Sequence, residues 1–508
     1  MFSTGFWILV SLQILLGAFD TIFHHELTER LAWRQSQRHE VRLHGVRNLF
    51  YAVLFFGLAF FTVGGVAAWI VIGILVMELV ITLVDFVEED RTRKLPASER
   101  ITHTLLALNY GAILVFLMPV LWAWTHQPTG IGIELRGGWS VLMVLAALGV
   151  GVFGVRDLIA ADRLKRLRRN PAKALVDPGL PPQAILVTGG TGFVGRRLVQ
   201  GLVAGGHDVT VLTRRPEVAA TLASPLRVIT SLNHIGNGDR IDAIIHLAGQ
   251  SVVGWLWTKA YRRKIIESRV VMTKQLLALV KRLSVKPTTF IGASAIGIYG
   301  ADAGPQTLED APVQEDGSFA QTSCQACEGA ALAMEQFGVR TVMLRIGMVL
   351  DPDGGALGQM LFPFEFGLGG PFGDGAHWMS WITRDDLVRL IVHTLQDASV
   401  DGPVNATAPH PITNGDFAAA LGTALGRPTV LALPRWVLTG VLGDLAREIF
   451  LGNQYVFPEK ATRMGFVFDA PDMEAAFLNM FGLRPKRINR RAKTKNVAGG
   501  HAALEKLH

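Results

Sequence analysis

The sequence predicts an α/β domain, a parallel sheet with helices on both faces, preceded by an all-α transmembrane helical domain. Three observations carry that reading. Long uncharged apolar runs fall before residue 160, the remainder alternates like a soluble α/β protein, and an apolar run at residues 184–188 opens at once into a glycine-rich loop. At 508 residues the chain also exceeds one compact core. The mean hydropathy of +0.33 therefore averages two kinds of solvent. The expected units are a helical domain over 1–162 with about five spans, a basic linker over 163–183, the sheet domain over 184–433, a small C-terminal domain over 434–484 and a basic tail over 485–508.

Residues 6–23, 46–63, 66–84 and 101–124 are each long and apolar enough to cross about 30 Å of hydrocarbon, and 139–155 is a marginal fifth span. No basic segment precedes the first run and no small-residue cleavage site follows it, so it reads as an anchor helix. Arg30, Arg34, Arg38 and Arg42 follow the first run, Arg91, Arg93 and Lys94 the third, and Arg163, Lys165, Arg166, Arg168 and Arg169 the fifth. The opposite loops hold only Arg136. Lys and Arg near span ends stay on the cytoplasmic side, which puts the N-terminus outside and everything after Asp157 in the cytoplasm of, in this reading, a bacterial inner membrane. A net charge of +7 admits a nucleic-acid partner, but these cations sit beside hydrophobic runs and in the tail at 486–495, which suits membrane lipid head groups instead. Two cysteines three residues apart, Cys324 and Cys327, fit a reducing compartment.

The run at 184–188 reads as a buried parallel strand, followed by Gly189, Gly190, Thr191, Gly192, Phe193, Val194 and Gly195 and then a helix from Phe193 towards Ala204. Gly189 allows a tight turn, Gly192 lets backbone approach a pyrophosphate, and Gly195 lets helix pack on strand. The helix start offers free N–H groups to phosphate. This is a Rossmann-type dinucleotide site. The second strand, 209–213, ends in Arg214 and Arg215, where an NAD-specific site places an acid for the ribose 2′-hydroxyl. Two guanidiniums suit a 2′-phosphate, so the expected cofactor is NADP(H). The alternative is a solvated pair at a strand end.

Further motifs follow: His246-Leu247-Ala248-Gly249 after a strand, Ser294 to Gly300, Arg345 to Leu350, and Trp378 to Ile382. With the glycine loop they make the stretch from Ala184 to about Leu483 resemble the extended short-chain dehydrogenase/reductase superfamily, especially its atypical epimerase-like branch. Residues 434–468 resemble that branch's small C-terminal domain of unknown function. The resemblance implies a cleft at the carboxyl ends of the strands. It implies that His246, Leu247, Ala248 and Gly249 lie along the adenosine and phosphate side, and that Ser294 hydrogen-bonds a substrate carbonyl or hydroxyl. The superfamily's Tyr-x-x-x-Lys pair is replaced: aligned on Glu328, its positions hold Ala320 and Cys324. Tyr299 and Tyr261 are the nearest candidate acids, with Tyr299 as an under-site packing residue the competing reading. Cys324 and Cys327 have redox-pair spacing but read as small buried side chains. Lys259, Lys264 and Arg269 face either an anionic substrate or solvent, and Trp378 and Trp381, flanking Ser380, line either a cleft or a core.

One pattern recurs at the charged helix ends: Asp20 with His24, Glu40 with His44, Asp85 with Glu89, and Glu99 with His103. Residues four apart share a helical face. Converging pairs would offer His24, His44, Asp85, Glu89 and His103 as ligands to a transition metal, though the spacing departs from the Glu-x-x-His of bundle di-metal sites. The bland alternative is a set of intrahelical ion pairs, with His25, Glu26, Glu88 and Asp90 as solvated neighbours. Glu78, about two turns deeper, needs a partner. The leading function is an NADP(H)-dependent oxidoreductase or epimerase-like enzyme, acting by hydride transfer on a carbonyl or alcohol of a small molecule, with a lipid-soluble substrate favoured by the anchor. A non-catalytic NADP(H) sensor, or an electron donor to a redox centre in the membrane domain, is the rival.

Overall fold

The computed structural model describes residues 2–483 apart from 168, 178, 254, 255 and 314, so the basic tail and Arg168 lie outside the described residues. Its first part is a bundle of α1 (Thr4–Phe19), α2 (Arg38–Phe60), α3 (Val66–Thr92), α4 (Ala97–Thr125) and α5 (Gly138–Arg166). All five are long and apolar enough to cross a membrane, α1 together with the π-helix Asp20–Glu29 that prolongs it. The marginal fifth run is thus a helix of 29 residues. Apolar side chains such as Ile8, Leu15, Leu108 and Val115 face outward, an arrangement that hydrocarbon accepts. Helices α2 and α5 pack backbone to backbone, since a Cβ on Gly45 would stand 3.1 Å from the Gly154 carbonyl. One end of the bundle carries an antiparallel ribbon, Phe61–Gly64 with Gly130–Ile133. There Arg136 donates to the Leu58 and Phe61 carbonyls at 2.8 and 3.1 Å.

The second part is a seven-stranded sheet of β1 (Ala184–Thr188), β2 (Asp208–Leu212), β3 (Arg227–Ile229), β4 (Ala243–His246), β5 (Thr289–Ala295), β6 (Arg340–Ile346) and β7 (Gly402–Ala406). Its order is β7-β6-β5-β4-β1-β2-β3, parallel throughout. The strands read as continuous Val, Ile and Leu runs because helices cover both faces. Those helices include α6 (Gly195–Ala204), α7 (Lys259–Arg282), α8 (Phe319–Leu332), α9 (Gly355–Glu365), α10 (Arg384–Gln396) and α11 (Asn414–Leu425). The order reverses between β1 and β4, and that switch point opens a crevice. The C-terminal residues add α12 (Met473–Phe481), which packs on α11 through Phe477 and Phe417.

The linker is no loose tether. Leu175, Val176 and Leu180 join the core that holds β1 and α6. Its basic residues are also not all turned to lipid: Arg163 pairs with Glu365 at 3.1 Å, and Arg169 with Asp353 at 2.8 Å. Bundle and sheet domain share one buried cluster, in which Leu31, Trp33 and Leu164 meet Leu361, Phe364 and Phe481. Helix α9 is the hinge of this contact, because Arg156 on α5 pairs with Glu365 at its end while Phe153 meets Phe366 one residue on.

Candidate functional site

At the switch point Gly189 has φ +76, a conformation that favours glycine, and a Cβ there would stand 2.7 Å from Ala248 N. A Cβ on Gly195 would stand 2.1 Å from the Gly189 carbonyl, so the helix can start this close to β1 only without a side chain. Regular helix begins at Gly195, after a turn through 191–194. The Phe193 ring packs against Gly354 and Gly355, where a Cβ would collide with it, and under the Arg384 guanidinium, 5.1 Å from its ring centroid. Thr188 and His246 Nδ1 share a 2.6 Å hydrogen bond that joins β1 to β4 beneath the loop. Burial lowers His246 to about 4, so its imidazole is neutral. Arg214 and Arg215 lie exposed just past β2, and among the described residues neither enters an ion pair.

From the loop a cavity of about 900 Å³ runs along the strand ends, lined by Phe193, Leu247, Ala248, Gly249, Arg269 and Ser294. Ser294 Oγ is buried without a hydrogen-bond partner among the described residues, and the Cys324 thiol lies beside it. An unpaired buried hydroxyl is costly unless a ligand satisfies it. Burial pushes the Cys324 and Cys327 thiols up to about 11 and about 12, so neither is a thiolate at neutral pH.

Tyr299 does not line this cavity. Its hydroxyl donates to Asn405 at 2.8 Å and accepts from Arg345 at 2.8 Å, and Arg345 is held by a two-point pair with Glu328. Burial raises the phenol further, so the acid role expected of Tyr299 gives way to its packing role. Tyr261 donates to the Ser251 carbonyl at 2.8 Å, at the cavity edge. Lys259 and Lys264 are exposed, while Arg269 lines the cavity. The tryptophans divide: Trp378 sits at the cavity wall, and Trp381 is core, donating to the His410 carbonyl at 3.1 Å. Sequence reasoning missed Glu448, which reaches over from the C-terminal residues to accept from Phe319 N at 3.2 Å and Ala320 N at 2.8 Å at the start of α8. Nothing local marks it, since its partners are 128 and 129 residues away.

The helix-end pairs converge, but across helices. His44 Nε2 stands 2.9 Å from Asp85 on α3, His103 Nε2 3.1 Å from Asp20, and Arg93 pairs with Glu40 and Glu99 at 2.8 and 2.7 Å. Of the expected ligands, His44, Glu89 and His103 belong to groupings that could hold a metal. His24 spends both ring nitrogens on Asp20 and Ser98, and Asp85 Oδ2 takes Arg47 at 2.8 Å. His25 and Glu26, expected in solvent, are buried. Glu78 accepts from Tyr51 at 2.5 Å and Thr82 at 2.8 Å.

Residues 185–406 match the model of the NAD dependent epimerase/dehydratase family, and residues 433–480 match a domain of unknown function, DUF1731. The cattle epimerase family protein SDR39U1 is 34% identical over 295 residues, which are 58% of this chain and 97% of that protein. The chain belongs to the SDR39U1 epimerase family. Its chloroplastic homologue in Arabidopsis thaliana is 36% identical over 291 residues, 56% of this chain and 82% of that one. The crystal structure of human SDR39U1 (isoform 2) with NADPH is 30% identical, with a TM-score of 0.53, over 59% of this chain and 99% of that one. In this family the chain is an NAD(P)-binding protein, and its helical bundle precedes the residues that the family models match.

Proposed function

We propose that the protein is an NADP(H)-dependent oxidoreductase or epimerase-like enzyme, anchored in a membrane and moving hydride to or from a carbonyl or alcohol carbon of an apolar substrate. The observation that carries this reading is the cavity itself, which leads from the glycine loop to the unpaired Ser294 hydroxyl under largely apolar walls. NADP(H) fits the residues present: Gly189 to Gly195 for the pyrophosphate, Arg214 and Arg215 for the 2′-phosphate, and Leu247 to Gly249 beside them. The cofactor supplies the hydride chemistry when bound. Ser294 orients a substrate oxygen, and Phe193 with Gly354 and Gly355 fixes the loop.

A lipid-soluble substrate is supported by the cavity's surroundings. Leu368, Leu431 and Leu433 line it and are exposed, with Val430 and Trp436 exposed beside them. Exposed apolar patches of this kind mark binding or membrane contact. The wall formed by α9 also rests on α5. The test is NADPH oxidation by detergent-purified full-length protein with a membrane lipid extract, followed by product identification. Stoichiometric oxidation with a reduced product supports the reading; tight NADPH binding with no turnover on any fraction overturns it. The loss of Tyr-x-x-x-Lys to Ala320 and Cys324 favours a second reading, a sensor or an electron donor to a centre in the bundle.

A further inference from the structure

At the end of the bundle nearest the sheet domain, carboxylates and imidazoles from the π-helix, α2, α3 and α4 gather in a buried cluster, with Asp157 and Arg156 of α5 at its edge. Asp20, Glu40, Asp85, Glu89 and Glu99 are all buried there. Among the described residues their guanidinium partners are Arg47 and Arg93. Five acids against two fixed cations leave a negative excess that burial makes expensive unless cations or protons offset it.

His24 and His103 hydrogen-bond Asp20 at 2.9 and 3.1 Å, but the two inner imidazoles, His25 and His44, face the acids otherwise. His25 Nε2 lies 3.4 Å from Asp20 Oδ2 and 3.5 Å from Glu99 Oε1, and His44 Nε2 lies 2.9 Å from Asp85 Oδ2 and 3.7 Å from Glu89 Oε1. Yet His25 Nε2, His44 Nε2 and Glu89 Oε1 are buried without a hydrogen-bond partner among the described residues. These atoms thus stand close to the acids with no aligned hydrogen bond, as unsatisfied donors and acceptors facing one another. A cavity of about 20 Å³ opens beside His25 and His44, enough for one solvent molecule.

We propose that this cluster is a two-ion transition-metal centre. One ion lies among Asp20, His25 and His103, the other among Glu40, His44 and Glu89. Each trio offers ligand atoms within 4.8 Å of one another. Metal–ligand bonds of about 2.0–2.2 Å set neighbouring ligand atoms roughly 3 to 3.6 Å apart. The His103–Asp20 and His25–Asp20 distances of 3.1 and 3.4 Å match. Glu89 joins the two halves: Oε1 faces His44, and Oε2 stands 3.3 Å from His103 Nδ1, where it fixes the ring so that Nε2 faces Asp20. The His25 and His44 rings stack at 4.6 Å across the boundary. Mixed carboxylate and imidazole ligands select manganese, iron, cobalt or zinc over calcium or magnesium. The π-helix is part of the device. Its i→i+5 bonding places more residues in each turn, so both His24 and His25 turn inward with Asp20.

The assignment deepens the electron-donor reading, and its readout is metal rather than turnover, so either can fail alone. Full-length protein in detergent, incubated anaerobically with Fe(II), Mn(II), Co(II) or Zn(II) and desalted, is measured by elemental analysis. About two equivalents of at least one metal per chain are expected, as in bundle di-metal proteins. His25→Gln and His44→Gln should each remove about one equivalent, and together nearly all, while the exposed-site control Asp90→Asn retains the metal. NADPH titration of every variant reports that the chain is folded, and the Co(II) absorption bands should weaken in step with metal loss. Wild type that binds NADPH yet retains no metal overturns the centre, as does metal content indifferent to both histidines. One equivalent lost only with His25 overturns the second ion.

Discussion

Arg214 and Arg215 sit where a dinucleotide fold reads its cofactor, exposed and without an ion-pair partner among the described residues. Each charge-assisted hydrogen bond to a 2′-phosphate contributes about 1.5–3 kcal/mol. NADPH should therefore bind at least about tenfold more tightly than NADH, and Arg214→Ala with Arg215→Ala should remove most of the difference in a fluorescence titration. Equal affinities in the intact protein would exclude the role. His246 gives a pH signature. Its folded value of about 4 lies below the ordinary 6.5, so above 6.5 both states are neutral, and as pH falls from 6.5 to 4 the unfolded chain takes the proton first. That group alone then costs roughly 3 kcal/mol of stability across this window. The melting temperature of the full chain should fall more steeply there than in His246→Gln, and parallel slopes would assign the loss to other groups. The glycine loop was legible because turn, close approach and phosphate contact are local demands on neighbouring residues. Tyr299 misled because its hydroxyl's partners, Asn405 and Arg345, come from distant strands.

Helix α9 shows how one element couples two parts of the chain. Its start packs on Phe193 of the nucleotide loop, and its end, Glu365, takes Arg156 at 2.7 Å and Arg163 at 3.1 Å. Arg156 also serves Glu26 and Asp157, so one guanidinium satisfies three buried acids. Arg156→Ala strands Glu26 and Asp157 and leaves Glu365 to Arg163 alone, and breaking a buried pair by removing one partner costs about 3–5 kcal/mol. We expect faster proteolysis within residues 167–183 and a lower melting temperature, whereas Arg166→Ala, at an exposed pair with Asp162, should change neither. An Arg156→Ala protein as resistant as wild type would show that the shared apolar cluster alone holds the parts together. Strand and helix identities were readable from periodicity. The docking was not, because the basic run after α5 has the same composition whether it meets lipid or, as Arg163 and Arg169 do, carboxylates of the sheet domain. The π-helix was hidden for a related reason: a 3.6-residue period pairs Asp20 with His24 and sends His25 outward.

At the scale of the whole molecule, the two ends of the bundle differ in kind. One carries the short ribbon, with Glu134 paired to Arg136 at 2.9 Å. The other carries the buried cluster and the sheet domain, which α5 enters directly. Because α5 is the fifth of five candidate spans, the N-terminus and the sheet domain fall on opposite sides of any bilayer that the bundle crosses. Basic residues at span ends choose the side: Arg38, Arg42, Arg91, Lys94 and Lys165 all lie at the cluster end and enter no ion pair among the described residues. Lys and Arg so placed are retained in the cytoplasm. Protease added to sealed, right-side-out cells should then spare the sheet domain and clip an N-terminal epitope, and lysis should expose the former. Cleavage of the sheet domain without lysis would require an even number of spans or the reverse orientation. A second measurement separates these: a cysteine placed at Thr129, just before the ribbon strand Gly130–Ile133, should be labelled from outside only if the span count is even or the orientation is as proposed with the ribbon outward. Labelling at Thr129 together with a protected sheet domain fits five spans with the nucleotide site facing the cytoplasmic NADPH pool.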